Sequence, residues 1–381
     1  MQLPKQSSRG RGRAHRLFHP LCGATLPTLA RLLLQGGVAP GRAHVAAIAV
    51  AMAGLRLPFT LGEAAFSALH GHDDDLPAPI FIVGHWRSGT THLANLLSRS
   101  PAFGILSPMS VGLPAEALGL ARVARPFVEQ FFPRNRLIDA VTLASDLPQE
   151  DELAMANLST LSCNHGIYFP HRLREEFDRG VFLDGVPARE LSRWVVSLRG
   201  YVGKMTRDAG RPLLIRNPAN SARIPLLRAI WPEARFIHIH RHPAEVVASA
   251  VRMFGVLVRE LSLGRTEVDV EALVRHVYPR LMTRLLHDAA ELPEGQLVEI
   301  AYDDLRRQPL AELARIHAIL GLPGYDAAQG AFRDYVAKVS SYAPRTSRPD
   351  LSPQAWLVAE HAGIFRRLGF ELPGDAAAIA A

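Results

Sequence analysis

Four short apolar runs punctuate residues 79–302, and helical periodicity fills much of the chain between them. Ile80 to Val83 is a run of β-branched and aromatic residues that stops at Gly84. A helical pattern follows it, with Leu93, Leu96 and Leu97 on one face. Leu213 to Ile215 forms a second run. Phe236, Ile237 and Ile239 form a third, and the stretch between these two reads as a helix, so strand, helix and strand make a βαβ crossover. Leu297 to Tyr302 is the fourth. Asp303-Asp304-Leu305 comes next, then a helix from about Pro309 to Leu320 that stops at Gly321. Strands that are apolar throughout, alternating with helices, belong to a parallel sheet covered on both faces. The pattern therefore predicts an α/β fold with a parallel β-sheet flanked by helices. Residues 101–212 read mostly helical. Residues 17–62 read as an apolar helical extension, broken at Gly36-Gly37 and Pro40.

Composition adds scale to this picture. The chain has 381 residues and 48% hydrophobic content, ample for a large core. No repeat and no Ser/Gly-rich linker divides it. The expected organisation is a polar, disordered basic segment at 1–16, a helical extension over 17–75, a catalytic domain over 76–335, and a tail with a helix over 336–381. The net charge of +7 is an N-terminal property: eight Lys and Arg and no acid precede Glu63, which leaves the remainder at −1. That distribution argues against a nucleic-acid-binding face. The uncharged run from Ala43 to Leu55 falls short of the ~18 residues that span a bilayer. Two readings of 17–62 remain open: an accessory helical pair packed on the domain, or a basic amphipathic patch in peripheral contact with a membrane surface. Cys22 and Cys163 give no disulfide framework, which fits a reducing cytoplasm. No Cys/His spacing suggests a metal site, and His238, His240 and His242 have no carboxylate or Cys to join them.

The chemistry concentrates in two places. Between the first strand and its helix lies Gly84-His85-Trp86-Arg87-Ser88-Gly89-Thr90-Thr91. Gly84 and Gly89 have the spacing of a G-x-x-x-x-G-K-[ST] phosphate loop, whose backbone N–H groups and helix N-terminus hold an anion. Thr90 stands where a nucleoside-triphosphate loop has Lys, and Arg87 is the strong cation. The second place follows the third strand: Arg241-His242-Pro243, with Ser249 eight residues after Arg241. A guanidinium at a strand end presents a planar fork to phosphate oxygens, and a hydroxyl two helical turns on can close the other side.

In these motifs, and in their order and separation, the chain resembles the bacterial sulfotransferases that use 3′-phosphoadenosine 5′-phosphosulfate (PAPS). Their 5′-phosphosulfate loop reads Pro-Lys/Arg-Ser-Gly-Thr-Thr, and they bind the 3′-phosphate with an Arg and a Ser at the second spacing. The resemblance covers about residues 19–335. It implies a P-loop-like sulfotransferase architecture with PAPS as co-substrate and no metal. Arg87, Ser88, Gly89, Thr90 and Thr91 would hold the phosphosulfate, and Arg241 and Ser249 the 3′-phosphate. Related chains carry Lys-Ser-Pro or Lys-Asn-Pro where this one has Arg216-Asn217-Pro218, so Arg216 would reach the bridging or sulfuryl oxygens. The acceptor would be a hydroxyl of a lipid, saccharide, small molecule or peptide, with the intervening region building its pocket.

Sulfuryl transfer to a hydroxyl also needs a proton acceptor. The candidates are Glu150 and Glu152 in Ser145-Asp146-Leu147-Pro148-Gln149-Glu150-Asp151-Glu152-Leu153, with His85 and His165 as outsiders. Acids in a first helical turn also simply complement the helix dipole. Pro148 suits the first helical position. Glu150 would then share a face with Leu153, Ala154 and Asn157, which makes it the more inward acid and the first choice. The rival function is a P-loop kinase of a small molecule or nucleoside, against which Thr90 counts. A third is a non-catalytic nucleotide sensor or membrane-associated interaction protein.

Overall fold

The computed structural model describes residues 19–69, 75–128, 147–340 and 355–372. The basic segment 1–16, along with Ser145 and Asp146, lies outside the described residues. Five strands form one parallel sheet: β1 (Ile80–Val83), β2 (Gly104–Ile105), β3 (Leu213–Arg216), β4 (Arg235–His240) and β5 (Leu297–Ala301), in the order β2-β3-β1-β4-β5. The principal helices are α1 (Leu26–Gly36), α2 (Ala43–Leu69), α3 (Thr90–Leu97), α4 (Asp151–Leu158), α5 (Ala188–Ala209), α6 (Pro243–Leu261), α7 (Val270–Ala290), α8 (Tyr302–Arg307), α9 (Pro309–Ile319), α10 (Tyr325–Ser340) and α11 (Ala355–Arg367).

β1 lies at the centre. It pairs with β3 through Ile82↔Arg216 and with β4 through Ile82↔Ile237. The βαβ unit predicted between β3 and β4 is present as a crossover, but it steps over β1, so the two strands are not neighbours. Side chains alternate along each strand and bury on both faces. Phe81, Val83, Leu213, Ile215 and Phe236 pack with Trp194 and Leu198 of α5, Val247 and Ala250 of α6, and Val277 and Leu281 of α7. Ile80, Ile82, Leu214, Ile237 and Ile239 pack with Leu93, Leu96 and Leu97 of α3, Leu313 of α9 and Phe332 of α10. The apolar runs of β1, β3 and β4 therefore report two covered faces.

Several element bounds differ from the sequence expectations for local reasons. The fourth run ends one residue early: Ala301 is an N-cap in extended conformation and Tyr302 begins α8. β2 is two residues long and carries no periodicity that a sequence could show. Within the helical extension expected over 17–75, α2 runs to Leu69 with Pro58 inside it. α10 runs across the expected boundary at 335. α1 and α2 pack on each other and on the catalytic body, where Leu29, Leu32, Val45, Ala49 and Ala53 join the first core.

Candidate active site

The loop after β1 is shaped by close approach. Gly84 has φ +138°, and a Cβ there would sit 2.3 Å from the Ile239 carbonyl of β4. Gly89 has φ +111°, and a Cβ would fall 2.4 Å from the Tyr302 ring. Neither position tolerates a side chain, so β4 and α8 hold the loop tightly against the strand ends. Arg87 is one of two described non-glycine residues with positive φ, at 76°. An L-residue in this region is strained by its surroundings, and such outliers concentrate where a side chain must be aimed. The strain has a visible result: the Arg87 Nε donates to the Ser249 Oγ of α6 at 2.9 Å. The loop after β1 and the helix after β4, 162 residues apart at these two positions, meet at this bond.

Ser221 pins the start of the loop. It is fully buried. Its Oγ accepts from the Gly84 N–H at 2.8 Å and lies 3.1 Å from the Gly84 carbonyl, to which it donates. Nothing in the local pattern of residues 218–222 marks this role. Thr90 is buried at the first position of α3, and Thr91 follows it with its hydroxyl accepting from Arg216 Nη1 at 3.2 Å.

Arg216 ends β3 beside β1, which brings its guanidinium under the loop. It is almost completely buried. Its Nη1 also donates to Glu150 Oε1 at 2.8 Å, and its Nε to the Pro148 carbonyl at 3.2 Å. The backbones of Glu150 and Arg216 form an isolated parallel bridge, so the acidic segment lies as a strand fragment beside β3. Loop, Arg216 and Glu150 thus form one connected group.

Here the helix geometry corrects the sequence reading. α4 begins at Asp151, so Pro148 lies outside it, and Glu150 is its N-cap in extended conformation. The deeper carboxylate is Glu152: its side chain is 2% exposed, against 22% for Glu150. Glu152 Oε2 accepts from Arg223 Nη1 at 3.0 Å and Asn217 Nδ2 at 3.0 Å, and Oε1 accepts from Ser162 Oγ at 2.7 Å and from the Cys163 N–H at 3.1 Å. Burial pushes the Glu152 carboxyl up, but Arg223, Asn217 and Ser162 more than reverse this and hold it below the usual range. Its neighbour Asp151 is pushed up to about 7 by burial and by the Glu152 charge. Glu152 therefore ties α4 to the segment after β3, with its lone pairs committed, whereas Glu150 faces the loop.

The two histidine candidates are packed interior groups. His85 stacks edge-on against Trp86 and Tyr278 and its Nδ1 lies 2.8 Å from the Trp86 carbonyl. His165 Nε2 lies 3.0 Å from the Ala156 carbonyl. Burial lowers both to about 4, and His19 likewise. A depressed histidine pKa contributes stability above its unfolded value of 6.5, and that contribution is lost as pH falls through the folded value. Asp151, raised, works the other way between its ordinary 3.8 and about 7. Burial also lowers His240 to about 4 and raises Glu176 to about 6, and four histidines outweigh two carboxyls, so the melting temperature is expected to fall as pH drops from 6.5 towards 4. A scan showing higher melting at pH 5 than at pH 7 would contradict this.

Arg241 immediately follows β4, on the other side of the loop. Its guanidinium pairs with Glu245 and lies 4.8 Å from the centroid of the Tyr302 ring. Tyr302 was not identifiable as a site residue from the sequence, yet it supports Arg241 with one part of its ring and closes on Gly89 with another. Arg241, Ser88 and His85 line one narrow crevice. Arg87, Ser249, Arg241, Arg216 and Glu150 therefore cluster at the carboxyl ends of β1, β3 and β4, where open α/β sheets bind ligands. Among the described residues, no group of three His, Cys, Asp or Glu is placed to hold a metal ion.

Comparison with known proteins places this arrangement. Residues 79–327 match the model of the Sulfotransferase family. The omega-hydroxy-beta-dihydromenaquinone-9 sulfotransferases Stf3 of Mycobacterium bovis and Mycobacterium tuberculosis are each 30% identical over 295 residues, 77% of this chain and 75% of theirs. Sulfotransferase STF9 from Mycobacterium avium superposes with a TM-score of 0.69 at 16% identity, over 92% of this chain and 98% of that one. Sulfotransferase STF1 from Mycobacterium tuberculosis gives 0.58 at 19% identity, over 87% and 88%.

Proposed function

This chain belongs to the Sulfotransferase family, and on that premise we propose that it moves a sulfuryl group from PAPS to a hydroxyl of a lipid acceptor. The observation that carries the donor assignment is the Arg87–Ser249 bond, because it draws a 5′-phosphate loop and a strand-end Arg/Ser pair into one site. The fit is chemical as well. Gly84 and Gly89 let the loop pack closely on β4 and α8, Arg87 and Arg216 stand beside it, and Arg241, paired with Glu245, follows the neighbouring strand. Only a nucleotide with a 3′-phosphate uses all of these.

In this reading the loop N–H groups with Ser88, Thr90 and Thr91 hold the 5′-phosphosulfate. Arg241 and Ser249 hold the 3′-phosphate. Arg87 and the α3 N-terminus offset the charge that grows on the leaving 5′-phosphate as its bond to sulfur breaks. Glu150 takes the acceptor proton as the new S–O bond forms. Arg216 orients that carboxylate and faces the sulfuryl oxygens. The curated relatives are named for an omega-hydroxylated dihydromenaquinone, which supports a long apolar acceptor with a terminal hydroxyl.

Calorimetry tests the donor. The desulfated nucleotide, 3′-phosphoadenosine 5′-phosphate (PAP), should bind roughly 10- to 150-fold more tightly than ADP, the worth of a charge-assisted phosphate contact of about 1.5–3 kcal/mol. Arg241→Ala should remove most of that preference while leaving ADP affinity nearly unchanged. Equal affinities in the unaltered protein would reject the assignment.

A further inference from the structure

α2 is built inside out. Its two side chains that are charged at neutral pH, Arg56 and Glu63, are both buried against the body of the protein. Arg56 pairs with the fully buried Glu116 at 2.6 Å and donates to the Ala24 carbonyl. Glu63 accepts from Lys204 at 2.8 Å and from the backbone N–H groups of Leu118 and Gly119. From Val45 to Leu69 every residue that is exposed is apolar, including Leu55 at 72%, Phe59 at 53%, Leu61 at 61%, Phe66 at 50% and Leu69 at 84%. A helix on the surface of a water-soluble domain has the opposite polarity.

Three observations select the occupant of this face. The first is its width. At 3.6 residues per turn the exposed positions sweep about 220° of the helix, whereas a helix-pairing seam is a stripe of about 100°, so a second copy of the chain would leave most of the face wet. The second is charge. Among the described residues ahead of Glu63 there is no other acid, Arg42 immediately precedes α2, and Arg31 lies exposed on α1, which packs against α2. Basic residues unmatched by acids at the start of an apolar face complement an anionic lipid surface. The third is anchoring. Pro40–Leu69 is long and apolar enough to cross a bilayer by length and composition, but the Arg56 and Glu63 bonds tie it lengthwise to the body. It lies on the body rather than leaving it.

We infer that α2 is a monotopic membrane-docking helix, which seats its outer face in the interface of an anionic bilayer. Docking would set the segment that follows β2, whose Leu118 and Gly119 N–H groups are held by Glu63, directly behind the seated helix. The inference does not depend on the donor nucleotide.

Flotation of the full chain on density gradients tests it. One set of vesicles is phosphatidylcholine alone, and the other is phosphatidylcholine mixed with phosphatidylglycerol. The unaltered protein should float with the mixed vesicles and do so less well with the neutral ones. The triple variant Leu55→Glu, Leu61→Glu and Leu69→Glu should stay at the bottom while keeping its melting temperature, because all three side chains are largely exposed. Val196→Glu, an exposed apolar position on α5, should float like the unaltered protein. Failure of the unaltered protein to float, or flotation of the triple variant, overturns the inference. So does a lipid-free dimer that the triple variant splits, which would assign the face to a second copy.

Discussion

Glu150→Gln is expected to lower turnover by roughly 10²- to 10⁴-fold, the usual worth of a positioned general base, with PAP affinity nearly unchanged. The substitution keeps the size and the hydrogen-bonding reach of the side chain, so the contact with Arg216 survives as a neutral one. It removes only the ability to take a proton. Glu152→Gln should behave differently. It leaves Arg223 buried without its countercharge, and breaking such a pair typically costs about 3–5 kcal/mol of stability. The two variants therefore separate chemistry from architecture: the first should melt normally and turn over poorly, the second should melt early. Normal turnover in Glu150→Gln, measured on an acceptor the unaltered protein sulfates, would place the base elsewhere.

Arg87→Ala should cost turnover about 10²- to 10³-fold, comparable to the loss of a preorganised transition-state contact. The loss should fall mainly on the rate constant rather than on PAP affinity, because charge on the leaving phosphate develops as the sulfuryl bond breaks. Arg87→Lys should recover part of the rate. Arg87→Gly offers a second control: glycine accepts the +76° backbone angle freely, so that variant should fold as well as the unaltered protein and still be slow. A rate unchanged in Arg87→Ala would remove the residue from the mechanism.

The placement of the candidate residues was partly readable because the motifs are local. A strand, a six-residue loop and a helix fix where Arg87 and the amides must be, and a strand end followed by a helix does the same for Arg241 and Ser249. What escaped is what depends on distant segments meeting. Ser221 looks like any serine after a proline turn until the loop start is seen resting on it. Tyr302 reads as the end of a strand, and its contacts with Gly89 and Arg241 arise only because β5 lies beside β4. Glu150 and Glu152 were told apart by an assumed helix start, and the true start one residue after Glu150 exchanged which of them is inward. The polarity of α2 was also hidden: Arg56 and Glu63 in the sequence suggest a wet face, and only packing reveals that they point in.

The central claim is transfer of a sulfuryl group from PAPS. Its most direct test is to incubate the full chain with PAPS carrying labelled sulfur and a lipid extract containing omega-hydroxylated isoprenoid quinones, then partition the mixture and analyse the organic phase by mass spectrometry. The account predicts label in the organic phase, attached to a hydroxylated lipid as a sulfate ester, and formed far more slowly with Glu150→Gln. Label remaining wholly in the aqueous phase, with phosphate transferred from ATP to the same extract instead, would contradict it.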